Sequence, residues 1–253
     1  MPLFAVIGDI HEEFARLQTV VDWLRDRTQT GILQSGSDLA GVLLVGDIAE
    51  AGFTGADPPG REQRWREKVD KVLGMVRTLG APVVWVPGNH DQRGYEAEPG
   101  NADGRLIELA GVRIVGIGGA GPKSWGFRYE WTDDDIRKLE LPECDILLSH
   151  TPPLDTALDC SNSGMSGGSA AILERAKKHR GVLLCGHIHE AFGTERIRNC
   201  FGYNAGSLGN PYGATRIGML DWDAQRGRVT ITHYNLDIND EEQVEFKLPA
   251  RAT

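Results

Sequence analysis

Five of the seven histidines, His11, His90, His150, His187 and His189, sit in short polar motifs that also contain Asp9, Asp47 and Asn89. Imidazole and carboxylate together suit zinc, iron and manganese, and carboxylate and carbonyl oxygens suit manganese and magnesium. Brought to one place, these side chains could hold two metal ions with one carboxylate shared. Gly186-His187-Ile188-His189 is the most telling motif, because it offers two imidazoles at i and i+2. Gly88-Asn89-His90-Asp91 is the next most specific, while Gly46-Asp47 and Ser149-His150 gain meaning only in company. His179 and His233 lie outside the motifs and read as ordinary surface or sheet histidines.

Distant motifs act together only if the fold gathers them. Each follows directly on an apolar run, within residues 3–8, 41–46, 83–86, 146–149 and 182–185. In an α/β sheet the carboxyl ends of the strands are where ligands bind. If the strands are parallel neighbours, the motifs converge on one rim. Between the runs, Phe14, Leu17, Val20, Val21 and Leu24 recur at the spacing of one helix face. Residues 61–79 repeat that pattern with Trp65, Val69, Val72, Leu73, Val76 and Leu79, and shorter helices are expected near 133–139 and over 170–179. Residues 112–117 form a further strand candidate. Beyond residue 185 the helices stop, and 193–198, 201–204, 215–221 and 228–234 read as strands joined by turns. Continuous apolar strands between helices imply buried, mainly parallel sheet. The tail implies a second sheet region of antiparallel character. The expected fold class is α/β, a sandwich with helices outside. Residues 51–60 and 94–104, rich in Gly and Pro, read as surface excursions.

Composition narrows the function classes. The 253 residues read as a single domain, 1–253. A net charge of −9 fits poorly with a binder of phosphate backbones, so nucleic acid is not an expected partner. A small phosphorylated substrate stays compatible, since a local cation inverts the field of its site. No apolar run nears the roughly 18 residues that span a bilayer, and the N-terminus lacks the pattern of a secretory signal. The expected setting is cytoplasmic, away from membranes. Cys144, Cys160, Cys185 and Cys200 include no Cys-x-x-Cys pair and are expected as buried, reduced thiols. The run from Gly116 to Ser124 imitates a phosphate-binding P-loop, but Pro122 breaks the spacing and removes an amide donor. A glycine-rich loop bordering the metal cleft is the better reading.

The order Gly-Asp-x-His, Gly-Asp, Gly-Asn-His-Asp, a strand-end His and Gly-His-x-His resembles the calcineurin-like metallophosphoesterase superfamily. Asn204-Ala205-Gly206-Ser207 resembles a segment that often follows in that family. The resemblance implies a two-sheet α/β sandwich with flanking helices and the active site at the C-terminal ends of the strands. It implies two divalent or mixed-valence metal ions, with Mn favoured over Fe or Zn. Asp9, His11, Asp47 and His189 would hold one ion; Asp47, Asn89, His150 and His187 would hold the other. His90 would be the acid facing the leaving group, and Glu50 stands where relatives carry the acid that orients it. The implied activity is hydrolysis of a small phosphodiester or nucleotide-type substrate by metal-activated hydroxide. The alternatives are a phosphomonoesterase, or a non-catalytic binding module on the same fold. Glu12 replaces a Gly common in the family, and Asp47 is not followed by Asp-Arg-Gly, which points away from phosphoprotein phosphatases. The segments around His150 and His189 resemble a branch linked to cyclic-nucleotide and other phosphodiester cleavage.

Overall fold

The computed structural model describes residues 1–30, 39–55, 57–95, 98–122, 124–209 and 213–249. Lys123, in the glycine-rich segment, lies outside them. The first half alternates β1 (Leu3–Ile7), α1 (Phe14–Thr30), β2 (Gly41–Leu44), α2 (Arg61–Arg77) and β3 (Val83–Trp85). Then come β4 (Leu106–Leu109), β5 (Val112–Ile117), α3 (Asp133–Lys138), β6 (Ile146–Ser149), α4 (Ala170–Lys178) and β7 (Val182–Cys185). The tail is β8 (Gly193–Ile197), β9 (Cys200–Asn204), β10 (Arg216–Asp223), β11 (Arg228–Asn235) and β12 (Asp240–Lys247).

These strands form two six-stranded mixed sheets, ordered β12-β11-β10-β1-β2-β3 and β4-β5-β6-β7-β9-β8. β1, β2 and β3 are parallel neighbours in the first sheet, and β5, β6, β7 and β9 are parallel in the second. The motifs therefore converge from two facing sheets, three from one and two from the other, rather than along one rim. The tail forms no region of its own. β8 and β9 join the second sheet, and β10–β12 extend the first by antiparallel pairing.

Strand alternation explains why the apolar runs are unbroken. Successive side chains point to opposite faces. Phe4 and Val6 enter the core between the sheets, with Leu43, Val45, Leu148, Leu184 and Tyr203. Ala5 and Ile7 face the other way and pack beneath α1 and α2, against Leu17, Leu24, Trp65 and Leu73. Leu147, Leu183 and Cys185 are covered likewise by Ile136, Ile172 and Ala176 of α3 and α4. The result is helix, sheet, sheet, helix, with every motif strand buried on both faces. β4 and β12 have no counterpart in the sequence reading. Both are edge strands, largely exposed, and their mixed apolar and acidic residues carry no strong period. Cys185 and Cys200 are buried thiols as expected, but Cys144 is only half-buried and Cys160 is exposed.

One buried carboxylate fastens the motif loops to the scaffold. Asp91 accepts from the backbone N–H of Ile48, Ala49 and Gly88, at 2.9, 2.9 and 2.8 Å, and from Trp65 Nε1 at 3.0 Å. It ties the loop after β2 to the loop after β3 and to α2. Removing it strands four donors in a dry site, and each buried unpaired group costs about 1–3 kcal/mol. Asp91→Ala should lower stability by at least about 3 kcal/mol in urea titration, with Asp91→Asn in between because its amide keeps an accepting oxygen. An unchanged midpoint for the alanine variant would show that the loops are fastened elsewhere.

Candidate metal centre

The structure brings every predicted site residue to one cleft where the two sheets meet. Asp9, His11, Asp47 and His189 each offer a ligand atom within 4.8 Å of one another, and so do Asp47, His150 and His187. Asp47 belongs to both groups. Asn89 joins the second, its Oδ1 3.0 Å from His150 Nε2. A third group, His11, Glu50 and His90, adjoins the first.

Tight, strained turns produce this convergence. Asp9, His11, Glu12, Asp47 and His187 have φ of 25°, 45°, 62°, 46° and 68°. These are left-handed values that cost non-glycine residues about 1–3 kcal/mol each and cluster at functional sites. Close approach explains two of the flanking glycines. A Cβ on Gly88 would overlap the Asp47 carboxylate, and one on Gly186 would overlap that of Asp9. The loops also hold each other. The N–H of His187 donates to the Asp9 carboxylate, the N–H of His90 donates to Asp47 Oδ1, and the Asp47 carbonyl accepts from the N–H of both Ile10 and His11. Asn204 adds a clamp: its side-chain amide donates to the carbonyls of Gly186 and Ile188, which flank His187. The glycine-rich loop borders the cleft, with the N–H of Gly119 on the carbonyl of Pro87 and Thr151 Oγ1 on the carbonyl of Gly119.

The hydrogen bonding shows that the residues fit a cation. His150 Nδ1 donates to the Val45 carbonyl, so Nε2 turns its lone pair toward Asn89 Oδ1 and toward Asp47 Oδ2, 3.4 Å away. His11 Nδ1 donates to Glu50, and its Nε2 faces His189 Nε2 at 3.2 Å and Asp47 Oδ2 at 3.5 Å. His187 Nε2 is buried and has no hydrogen-bond partner. Acceptors pointed at acceptors need a proton or a metal between them. Orienting the ligand imidazole through its other nitrogen is how metal-binding histidines are commonly held.

Without metal, protons fill part of that need. Burial works against charge on His150, but Asp47, Asp9 and the Val45 carbonyl more than offset it and push the imidazole up to about 9. Burial likewise opposes charge on His11, yet Glu50, Asp47 and Asp9 push it up to about 9. Burial alone would raise Asp47, but His150, His11 and His90 hold it well below the usual carboxylate range. Burial and the neighbouring His150 push His187 down to about 3, leaving it neutral.

Sequence reasoning foresaw Glu50 beside His90, at 2.8 Å from Nδ1, but not that the same carboxylate also takes His11 at 2.7 Å. It also missed Glu12, whose carboxylate accepts from the N–H of Glu50 and pairs with Lys68 at 2.7 Å. The substitution of Glu for the family's common Gly was the available signal. The clamp role of Asn204 was signalled only by its place in the Asn-Ala-Gly-Ser segment. His179 and His233 stay outside the cleft, one at the end of α4 and one in β11.

The matching family is that of the calcineurin-like phosphoesterases, over residues 2–191, and the chain belongs to it. A probable cyclic nucleotide phosphodiesterase of Synechococcus sp. is 28% identical over 209 residues, 74% of this chain and 73% of that protein. A cAMP/cGMP dual specificity phosphodiesterase of Mycobacterium tuberculosis is 27% identical over 170 residues, 62% of this chain and 50% of that protein. The crystal structure of a dimetal phosphatase from Danio rerio superposes with a TM-score of 0.59 at 12% identity, covering 98% of this chain and 99% of that one. It shares the two-sheet sandwich.

Metal binding here should be proton-competitive. A ligating imidazole must be neutral, and His11 and His150 keep their protons up to about 9 in the metal-free protein. Affinity should therefore rise as pH climbs from about 6.5 to about 8.5, with about one to two protons released on loading. Calorimetry of Mn²⁺ binding in buffers of different ionisation enthalpy measures both. A pH-independent affinity with no proton release would show that the two imidazoles are already neutral.

Proposed function

We propose that the chain is a dinuclear metal-dependent phosphoester hydrolase acting on small phosphodiesters, carried by one domain over residues 1–253 and working in the cytoplasm. The observation that carries this reading is the ring of acceptors around Asp47, with the His187 imidazole within it and the His90–Glu50 pair beside it. Asp9, His11, Asp47 and His189 would hold one ion; Asp47, Asn89, His150 and His187 would hold the other, with Mn²⁺ the favoured metal. Such ions, when bound, stabilise the charge of an in-line displacement at phosphorus and supply a nucleophile from water at neutral pH. Among the described residues, no helix is long and apolar enough to cross a membrane.

His90 supplies the proton. Burial opposes its charge, but Glu50 and Asp47 raise its pKa above the ordinary value, which favours the protonated form an acid needs. Its Nδ1 is fixed on Glu50, which leaves Nε2 to donate to the departing alkoxide. Glu50 holds this geometry while remaining charged: burial would raise it, but its bonds to His11 and His90 hold it down at about 2. The presence of every ligand position and of His90 argues against a non-catalytic module.

Diesters fit better than phosphoprotein monoesters. A diester carries one negative charge at the reacting phosphate and needs less cationic clamping. Among the described residues, Arg128 pairs with Asp57 at 2.9 Å, and Arg93 lies over the Tyr129 ring. The phosphodiesterase names of the two relatives point the same way.

A substrate panel tests the reading. Chelation should abolish hydrolysis of bis-nitrophenyl phosphate and Mn²⁺ should restore it, with Asp47→Asn the most damaging ligand change. Diesters should exceed a phosphoserine peptide in kcat/KM by about tenfold or more, a difference of about 1.4 kcal/mol. Full activity after verified metal loss would end the reading, and a phosphopeptide preferred tenfold would overturn the substrate class. His90→Asn should leave metal content nearly intact and slow turnover by about 10²–10⁴-fold for alkyl leaving groups. The loss should shrink for nitrophenolate, which departs without a proton. An equal loss across leaving groups would remove the acid role.

A further inference from the structure

Two loops beside the cleft carry aromatic side chains that the hydrolysis itself does not use. Phe53 and Phe127 stack with ring centroids 4.8 Å apart, joined by an antiparallel bridge between their backbones. The Phe127 ring lies 3.9 Å from that of His90. On the same loop, the Trp125 ring lies 5.5 Å from that of His187. Phe53 and Trp125 are 58% and 43% exposed, although burying a large aromatic is strongly favourable.

Their supports make the loops a wall. The N–H and hydroxyl of Thr54 both donate to the Gly126 carbonyl, at 2.7 and 3.1 Å. The Glu130 carboxylate gathers the N–H of Trp125 and of Gly126 and the hydroxyl of Ser124, at 2.7, 3.1 and 2.8 Å. Arg128 ties the second loop to Asp57 near the first. An exposed aromatic surface held this firmly is preorganised for a flat ring. Its position points to a ring carried by the substrate, because Phe127 lies against His90 and Trp125 lies near His187.

We infer that Phe53, Phe127 and Trp125 form a stacking platform for an aromatic group of the substrate, a nucleobase in a nucleotide diester. The inference rests on the phosphoesterase reading, since the platform is placed by His90 and His187. Aromatic faces accept any base, because every base has a π-face. The platform therefore favours nucleobase-bearing diesters over aliphatic ones and discriminates weakly among bases.

Binding to the Mn²⁺-loaded protein, measured by calorimetry, tests this with three probes: inorganic phosphate, ribose 5-phosphate and adenosine 5′-monophosphate. The last two share a phosphate and a ribose and differ in the base. The nucleotide should bind about tenfold tighter than the sugar phosphate. That ratio should fall toward one in Phe53→Ala and in Trp125→Ala, and Phe53→Tyr should restore it. Equal affinity for the two probes, or a ratio that survives both alanine variants, would overturn the platform. If phosphate and ribose 5-phosphate bind and bis-nitrophenyl phosphate is cleaved without any base advantage, the platform alone fails. If none of the probes binds and no ester is cleaved, the phosphoesterase reading fails and takes the platform with it.

Discussion

The organisation of this protein follows from one electrostatic fact. A carboxylate, Asp47, is buried among imidazoles that turn lone pairs toward it and toward each other. Left dry, such a set repels itself, and burial makes the repulsion stronger because the local dielectric is low. Only positive charge at its centre relieves it. The protein therefore has to hold together a group of side chains that would drift apart without a cation or protons among them.

Two sheets share that restraint. One brings Asp9, His11, Asp47, Asn89 and His90 from three parallel strands; the other brings His150, His187 and His189 from two. Because every motif strand is buried on both faces, the loops start from fixed points. The left-handed turns at Asp9, His11, Asp47 and His187 then spend the rigidity of that framework on aiming side chains inward. Around them lie the residues that make the aim reproducible. Asp91 fixes two loops to α2, Asn204 fixes the backbone on both sides of His187, and Glu12 with Lys68 fixes the backbone of Glu50. Glu50 in turn links His11 of the first group to His90, so a shift in one imidazole is felt at the other through a single carboxylate.

Much of this was legible in the sequence, for physical reasons that also mark where legibility stops. The runs that became β1, β2, β3, β6 and β7 are unbroken and apolar because both faces are covered, so strand and motif could be read together. The amphipathic spacing of Trp65, Val69, Val72 and Leu73 disclosed α2 because one face of a helix meets a sheet. β4 and β12 were invisible because an edge strand needs no apolar period. The division of the motifs between two sheets depends on pairing order, which local pattern does not encode. Asp91, Glu12 and the second bond of Glu50 were missed for a related cause: the donors on Ile48, Ala49, Glu50 and His11 lie 38 to 43 residues away, and a carboxylate's spacing reveals nothing about the donors it will meet.

The least legible strand has a consequence of its own. β12 closes the first sheet with Asp240, Glu241, Glu242 and Glu245 in eight residues, mostly exposed. An outermost strand offers a free row of backbone donors and acceptors to any passing strand, and proteins commonly blunt it with charge. Two copies meeting along this border would set carboxylates against carboxylates, a repulsion that salt screens over about 8–10 Å. The acidic balance of the whole chain is thus partly a property of this border, where like charge opposes the pairing of one molecule's sheet with the next.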